Sequence, residues 1–267
     1  MMKRLPMMII ALLLASPVSA QLEPSNDVGL SYGHVHLNVT DLELHKNLWV
    51  EHFGGVLVQK GPLTAIRFPG MLIALSSREP TSGSQETVMD HFGFKVRDLD
   101  AVLSKWRAAG LPVTSEFTGA EGFPNAFVVA PDDIRVELQE DSTLPVEIAA
   151  YHIHFNTPEY EGLLDWYIQT FGLERFTRGT IETTANAPGM NLSFGNADGP
   201  RRATRGTAID HIGFEIDDLE AFCQKLEAEG IEFEVPFRDV PSVELKIAFL
   251  TDPSGVYIEL TEGYDEY

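Results

Sequence analysis

Cysteine is nearly absent. Cys223 is the single one in 267 residues, so no intrachain disulfide can form and stability has to come from an apolar core. Positive charge is scarce too: 19 Lys plus Arg stand against 40 Asp plus Glu, a formal net charge of −21. Such a surface repels phosphate backbones and anionic membranes, which argues against nucleic acid as a partner. No apolar run approaches the roughly 18 residues that a membrane-crossing helix needs. At 44% hydrophobic and 22% charged residues, the composition is that of a folding chain of one or two domains.

The one sustained apolar run lies near the start. Lys3 and Arg4 precede Met7 to Ala15, and Pro17-Val18-Ser19-Ala20 offers small residues for cleavage after Ala20. That pattern reads as a signal peptide over residues 1–20, followed by a polar lead-in at 21–31 that carries no chemistry. Gln21 stands where a lipid-anchored protein would need Cys, and Lys3-Arg4 is not a twin-arginine pair. The expected mature chain is therefore periplasmic or secreted, with no membrane attachment after cleavage.

The remainder repeats itself. Gly33-His34-Val35-His36-Leu37, Asp90-His91-Phe92-Gly93-Phe94, Tyr151-His152-Ile153-His154-Phe155 and Asp210-His211-Ile212-Gly213-Phe214 each read as an apolar strand carrying a histidine. Each has an acidic residue at the seventh position after that histidine: Asp41, Asp98, Glu159 and Asp218. The first and third read His-x-His, the second and fourth Asp-His-x-Gly-Phe, which makes the chain two copies of a two-unit domain. Helical patterns follow, with Leu99 to Ala109 stopping at Gly110 and Leu219 to Glu229 stopping at Gly230. Strands are predicted at Val113–Phe117, Ala126–Ala130 and Ile134–Gln139. In the fourth unit they are predicted at Glu232–Pro236, Leu245–Thr251 and Val256–Thr261, the last after the turn Asp252-Pro253-Ser254-Gly255. A unit of one strand, one helix and three strands has one face covered by its helix, and two such sheets together curl into an open cup.

Side chains alternate across a strand, so the direction of the histidines follows from the apolar pattern. Glu137 sits between Val136 and Leu138, and Glu259 between Ile258 and Leu260. If the helix covers the apolar face, both carboxylates point into the cup, and the same parity turns His34, His91, His152 and His211 toward them. The expected groups are His34, His91 and Glu137 in the first half and His152, His211 and Glu259 in the second. Neutral imidazoles and one carboxylate on one face of a divalent ion hold it while leaving other positions for water, oxygen or a chelating substrate. Ala74 and Ser193 stand in the final strands of the first and third units, where a fourth protein ligand would come from, and neither replaces a carboxylate.

With these motifs, the helix ends Phe53-Gly54-Gly55 and Phe171-Gly172-Leu173, and the endings Pro131-Asp132-Asp133-Ile134-Arg135-Val136-Glu137-Leu138 and Asp252 to Leu260, the chain resembles the vicinal oxygen chelate superfamily. That group holds glyoxalases, extradiol dioxygenases, epimerases and the fosfomycin- and bleomycin-resistance proteins. The resemblance implies an α+β fold, four βαβββ units paired into two tandem half-barrel domains at residues 32–142 and 147–265. It also implies a divalent metal, Fe(II) or Mn(II) ahead of Zn(II), at the histidines and glutamates. The partner is a small organic substrate; oligomeric state is not indicated.

Activity stays open between a 2-His-1-carboxylate dioxygenase, a glyoxalase-like lyase or isomerase, and a sequestration protein of the bleomycin-resistance type. Glyoxalases usually use four protein ligands, from which Ala74 and Ser193 depart; ring-cleaving dioxygenases usually carry a tyrosine where this chain has Phe249. His36 and His154 share parity with the ligand positions and are candidates for proton transfer or for hydrogen bonding as pocket-wall residues; Tyr257 shares parity with Glu259 and is a candidate substrate contact. His45 and His52 are read as surface or packing residues, Trp49, Trp106 and Trp166 as core, and Cys223 as a small buried hydrophobe. The arginines of Asn196 to Gly206 either screen an anionic substrate or belong to a solvated linker.

Overall fold

The structure, a computed structural model, describes residues 22–264; the expected signal peptide at 1–20 lies outside the described residues. The first unit runs β1 (Leu30–Val39), α1 (Leu42–Asn47, continuing as a π-helical turn at Leu48–His52), β2 (Val56–Lys60), β3 (Leu63–Phe68) and β4 (Met71–Ser77). The second runs β5 (Met89–Val96), α2 (Leu99–Ala108), β6 (Val113–Thr118), β7 (Pro124–Ala130) and β8 (Ile134–Glu140). The third runs β9 (Ile148–Asn156), α3 (Tyr160–Phe171), β10 (Glu174–Arg178), β11 (Ile181–Ala187) and β12 (Met190–Gly195). The fourth runs β13 (Ile209–Ile216), α4 (Leu219–Ala228), β14 (Val235–Val240), β15 (Leu245–Thr251) and β16 (Tyr257–Glu262). Among the described residues, no helix is long and apolar enough to cross a membrane.

The repeated acidic residues prove to be helix caps in three units. Asp41, Asp98 and Asp218 accept hydrogen bonds from Leu44 N, Ala101 N and Ala221 N at 3.0, 2.8 and 3.1 Å. Each satisfies one of the amide groups that a helix start leaves unpaired. Glu159 makes no such cap. β14 begins later than the predicted Glu232–Pro236 and runs on to Val240, because the register slips between Val235 and Arg238 around Pro236, which has no amide to donate.

The units assemble into two eight-stranded sheets, ordered β14-β15-β16-β13-β1-β4-β3-β2 and β10-β11-β12-β9-β5-β8-β7-β6. The first unit therefore shares a sheet with the fourth, and the second with the third. This corrects the expectation that each half of the chain closes its own cup. The segments 78–88 and 196–208 cross from one sheet to the other and bind each other: Val88 N donates to Arg202 O at 2.8 Å, Arg202 N to Glu86 O at 3.1 Å, and Ala208 N to Ser82 O at 2.9 Å. The arginine-rich segment is thus a structural strap, with the Arg205 guanidinium bonded to Glu234 and lying 4.5 Å from the centre of the Tyr257 ring.

Alternation holds along the opening strands. Val35, Leu37 and Val39 of β1 and Ile212, Phe214 and Ile216 of β13 belong to one continuous core that includes Trp49, Trp106, Tyr167 and Phe171. Trp166 packs on it half-buried, and Cys223 is buried within it, its thiol pushed up to about 12 by burial. His45 is fully buried, its Nε2 3.0 Å from Asp132 Oδ2, which ties α1 to the second unit and makes it a packing residue.

Asp252 joins the third and fourth units. Its Oδ1 accepts from Ser254 N and Val256 N at 2.8 and 2.9 Å, and its Oδ2 from the Tyr167 hydroxyl at 2.9 Å. Burial pushes its carboxyl up to about 6, against the lowering effect of those donors. A folded-state value above the unfolded one gives stability that is complete below the ordinary range near pH 4 and is lost as pH rises through 6. Asp252→Asn keeps Oδ1 and offers an amide N–H to Tyr167. Its stability relative to the parent should rise by ~2–3 kcal/mol between pH 4 and 7 in urea denaturation; a difference that stays flat over this range contradicts the assignment.

Candidate metal centres

Each cup gathers histidines and a glutamate around one point. In the first, His34 Nε2 lies 3.0 Å and His211 Nε2 3.1 Å from Glu259 Oε2, with His36 completing the cluster. In the second, His91 Nε2 and His152 Nε2 lie 3.0 and 3.1 Å from Glu137 Oε2, and 3.4 Å from each other. The six residues singled out from the sequence as metal ligands therefore all face the cups, but grouped as His34, His211, Glu259 and His91, His152, Glu137. The expected grouping fails because β1 pairs with β13 and β5 with β9.

Glycine makes this pairing work. A Cβ at Gly213 would stand 2.0 Å from His34 Cε1, and one at Gly93 would stand 2.4 Å from His152 Cε1. Each imidazole from one half lies over a glycine of the other on its way to the glutamate. Glu259 stands opposite Gly213 in the β13–β16 register and Glu137 opposite Gly93 in β5–β8. The same positions in the other units hold His36 opposite Ala74 and His154 opposite Ser193. His36 and His154 thus replace glycine, and Ala74 and Ser193 replace glutamate, so among the described residues each group has a single carboxylate, Glu259 or Glu137.

Two aspartates escaped the parity argument. His91 Nδ1 donates to Asp90 Oδ2 at 2.8 Å and His211 Nδ1 to Asp210 Oδ1 at 2.6 Å. Neighbouring residues of a regular strand face opposite sides, but the register slips at both positions, between Met89 and His91 and opposite His36 and Leu37. These bulges turn each aspartate toward the imidazole beside it. The repeated Asp-His pair was the available signal. Arg135 and Asn38 hold the two aspartates in turn, at 2.7 and 2.8 Å. A carboxylate on Nδ1 fixes the tautomer and ring direction and leaves Nε2 to bind a cation.

Electrostatics separate the two histidines of each group. Burial opposes charge on His211, but Asp210 and Glu259 outweigh it and raise it to about 9; His91 is raised in the same way by Asp90 and Glu137. His34 is lowered by burial, and burial takes His152 down to about 4 despite Glu137. His36 and His154 fall to about 3 through burial and the neighbouring charged imidazole. His36 stacks on His211 with ring centres 4.4 Å apart and has its Nε2 2.7 Å from Ser76 Oγ; His154 lies 5.1 Å from the His91 ring. Tyr257 stacks on Phe249 at 5.0 Å and meets His211 edge-on at 5.7 Å. Phe249 itself pairs with Glu259, as Phe127 does with Glu137, so an aromatic ring stands beside the ligands in both cups.

The donor sets fit a divalent cation. Cis donors on an octahedral ion bound at about 2.1 Å lie about 3.0 Å apart, which is the spacing seen in both groups. Neither ring nitrogen of His34 has a hydrogen-bond partner, although its Nε2 is directed at Glu259. An imidazole buried without partners is costly unless something else is bound there.

The sequence profile of the Glyoxalase/Bleomycin resistance protein/Dioxygenase superfamily matches residues 31–138 and 150–260. The chain belongs to this superfamily. A curated relative, the lactoylglutathione lyase of Schizosaccharomyces pombe (strain 972 / ATCC 24843), is 22% identical over 192 residues, covering 72% of this chain and 50% of that protein. The chain thus matches half the length of this superfamily member. Glyoxalase I from Zea mays has the same fold, with a TM-score of 0.69 at 16% identity over 89% of this chain and 94% of that one. A glutamate-to-glutamine variant of the same maize protein aligns with the same TM-score at 15% identity, over 89% of this chain and 95% of that one.

The cross-pairing sets a test by metal analysis of Mn(II)-loaded protein. His34→Ala and His211→Ala should each lose the same one of two equivalents, and the double variant no more than either alone. Gly213→Ala should lose that equivalent too, by displacing His34. Loss of separate equivalents by the two alanine variants contradicts the grouping.

Proposed function

We propose that this superfamily member is a divalent-metal-dependent enzyme of the lyase or isomerase type, acting on a small organic substrate that presents two neighbouring oxygens. The observation that carries the reading is the convergence of two histidines and one glutamate in each cup, with one histidine aimed by an aspartate. Fe(II) or Mn(II) suits the mixed nitrogen and oxygen donors best, and Zn(II) also fits them. When bound, such an ion polarises the substrate oxygens and stabilises negative charge that develops on them. The protein's own residues do the rest. Asp90 and Asp210 hold His91 and His211 in one tautomer. Phe127, or Phe249 with Tyr257, closes one side of the cup against water. His36 and His154 are the further imidazoles nearest the ligands and the candidates to carry a proton. The likeness to a lactoylglutathione lyase supports proton transfer between adjacent carbons as the reaction type.

A second reading, oxygen activation by Fe(II), is favoured by the group His91, His152 and Glu137, where Ser193 supplies no fourth carboxylate. Export to the periplasm or outside the cell, proposed from Met1 to Ala20, would bring either activity into contact with external substrates.

Metal-loaded protein should convert the hemithioacetal of methylglyoxal and a thiol, followed by absorbance of the thioester, and His36→Ala with His154→Ala should lower kcat per equivalent of bound metal by about 10²-fold or more. Oxygen uptake with Fe(II) and a catechol, without thioester formation, would replace this reading with the second. Neither reaction, in protein holding its metal, would move the function to sequestration.

A further inference from the structure

The two cups share their ligand arrangement but not their lining. Register equivalence gives the comparison: Leu72 opposite His34 corresponds to Asn191 opposite His152, and Ala65 and Ala74 correspond to Thr184 and Ser193. Ile247 likewise corresponds to Asn125, each two residues before the phenylalanine that faces the glutamate. In the first cup Ala65, Leu72, Ala74, Leu245 and Tyr264 belong to a second hydrophobic cluster, with Tyr264 stacked 4.6 Å over His34 and Arg67 standing opposite Leu72. In the second cup, Asn125 Nδ2 donates to Glu137 Oε1 at 2.5 Å, and Asn191 Nδ2 to Thr184 and Asn186 at 3.1 and 2.7 Å.

Beside the second cup is a cavity of about 600 Å³ lined by Lys95, Glu121, Tyr151, Arg178, Asn186 and Asn191 among others. It adjoins the metal group: the Tyr151 ring is 5.1 Å from that of His152, and Asn191 stands opposite His152. Arg178 is the unusual member. Its side chain is 5% exposed, its Nε has no partner, and its carboxylate neighbour Glu121 is 3.9 Å away, beyond hydrogen-bond reach. Glu121 Oε2 already accepts from Gln139 Nε2 at 2.9 Å and from the Tyr151 hydroxyl. A buried guanidinium with unfilled donors is expensive to maintain and matches a planar two-oxygen anion. In the first cup the cation at the same end of the edge strand, Lys60, is paired with Glu244 at 3.2 Å near the surface.

We propose that the second cup binds a substrate bearing a carboxylate, which Arg178 holds in this cavity while its neighbouring oxygens face His91, His152 and Glu137. The proposal rests on the metal reading of the second group and adds the substrate class. Arg178 supplies the second cup with a buried cation for that carboxylate.

The test uses full-length His211→Ala protein loaded with Mn(II), in which only the second group remains, titrated calorimetrically with oxalate and with neutral acetohydroxamic acid. Adding Arg178→Gln should weaken oxalate at least about tenfold and leave acetohydroxamic acid within about twofold, with bound manganese unchanged. Arg178→Lys, which keeps the charge but not the planar fork, should weaken oxalate in the same selective way and serves if the glutamine variant does not fold. Equal losses for both probes, or no loss for either, overturn the proposal while leaving the metal reading intact. A His211→Ala protein that binds no manganese overturns both, and the metal analysis tells this outcome from the others.

Discussion

The antiparallel pairing of opening strands from opposite halves of the chain, β1 with β13 and β5 with β9, is the constraint on which both centres depend. It brings a His-x-His strand against an Asp-His-x-Gly strand. Only a glycine at 93 or 213 leaves room for the imidazole that crosses from the other half, since any Cβ there would fall within 2.4 Å of its ring. The bulges at Asp90 and Asp210 are part of the same pairing, and they set the direction of the second imidazole. Close approach, tautomer and glutamate position are therefore consequences of one strand register. Loss of that register would remove a complete donor set, not a single ligand.

The charge balance at both groups is one that a bound cation would relieve. Glu137 and Glu259 are held well below the ordinary carboxylate range, despite burial, by the two histidines that flank each of them. A buried carboxylate shared by two imidazoles has good attraction and poor hydrogen-bond satisfaction, as the unpartnered nitrogens of His34 and His152 show. Replacement of such clusters by apolar residues is often neutral or stabilising in proteins. Two of them in one chain are better explained by binding than by stability.

Much of this could be read from the sequence because strand alternation is robust: Glu137 between Val136 and Leu138, and Glu259 between Ile258 and Leu260, are enough to aim six ligands into cups. The repeated acidic residues were legible as helix starts, and three of them cap. Strand pairing was not legible, since segments 78–88 and 196–208 contain nothing that says which sheet they return to. Asp90 and Asp210 were hidden by bulges, which reverse parity at the one residue where it mattered. Arg178 lies at the end of an edge strand, far in sequence from any ligand, and its role comes only from burial and the partners it lacks.

Each cup draws on opening strands from both halves, β1 with β13 and β5 with β9. His152 and His154 share β9 and His34 and His36 share β1, so a change that shifts either strand moves both of its histidines together. The closing strands are under no such restriction. Asn191 and Leu72 can differ without moving a histidine or glutamate of either group, since they flank those groups, whereas Asn125 bonds Glu137 and Ile247 does not bond Glu259. The candidate donors therefore come from the opening strands and the two glutamates, while the residues around them differ between the cups, Leu72 against Asn191 and Ala74 against Ser193, on a single scaffold.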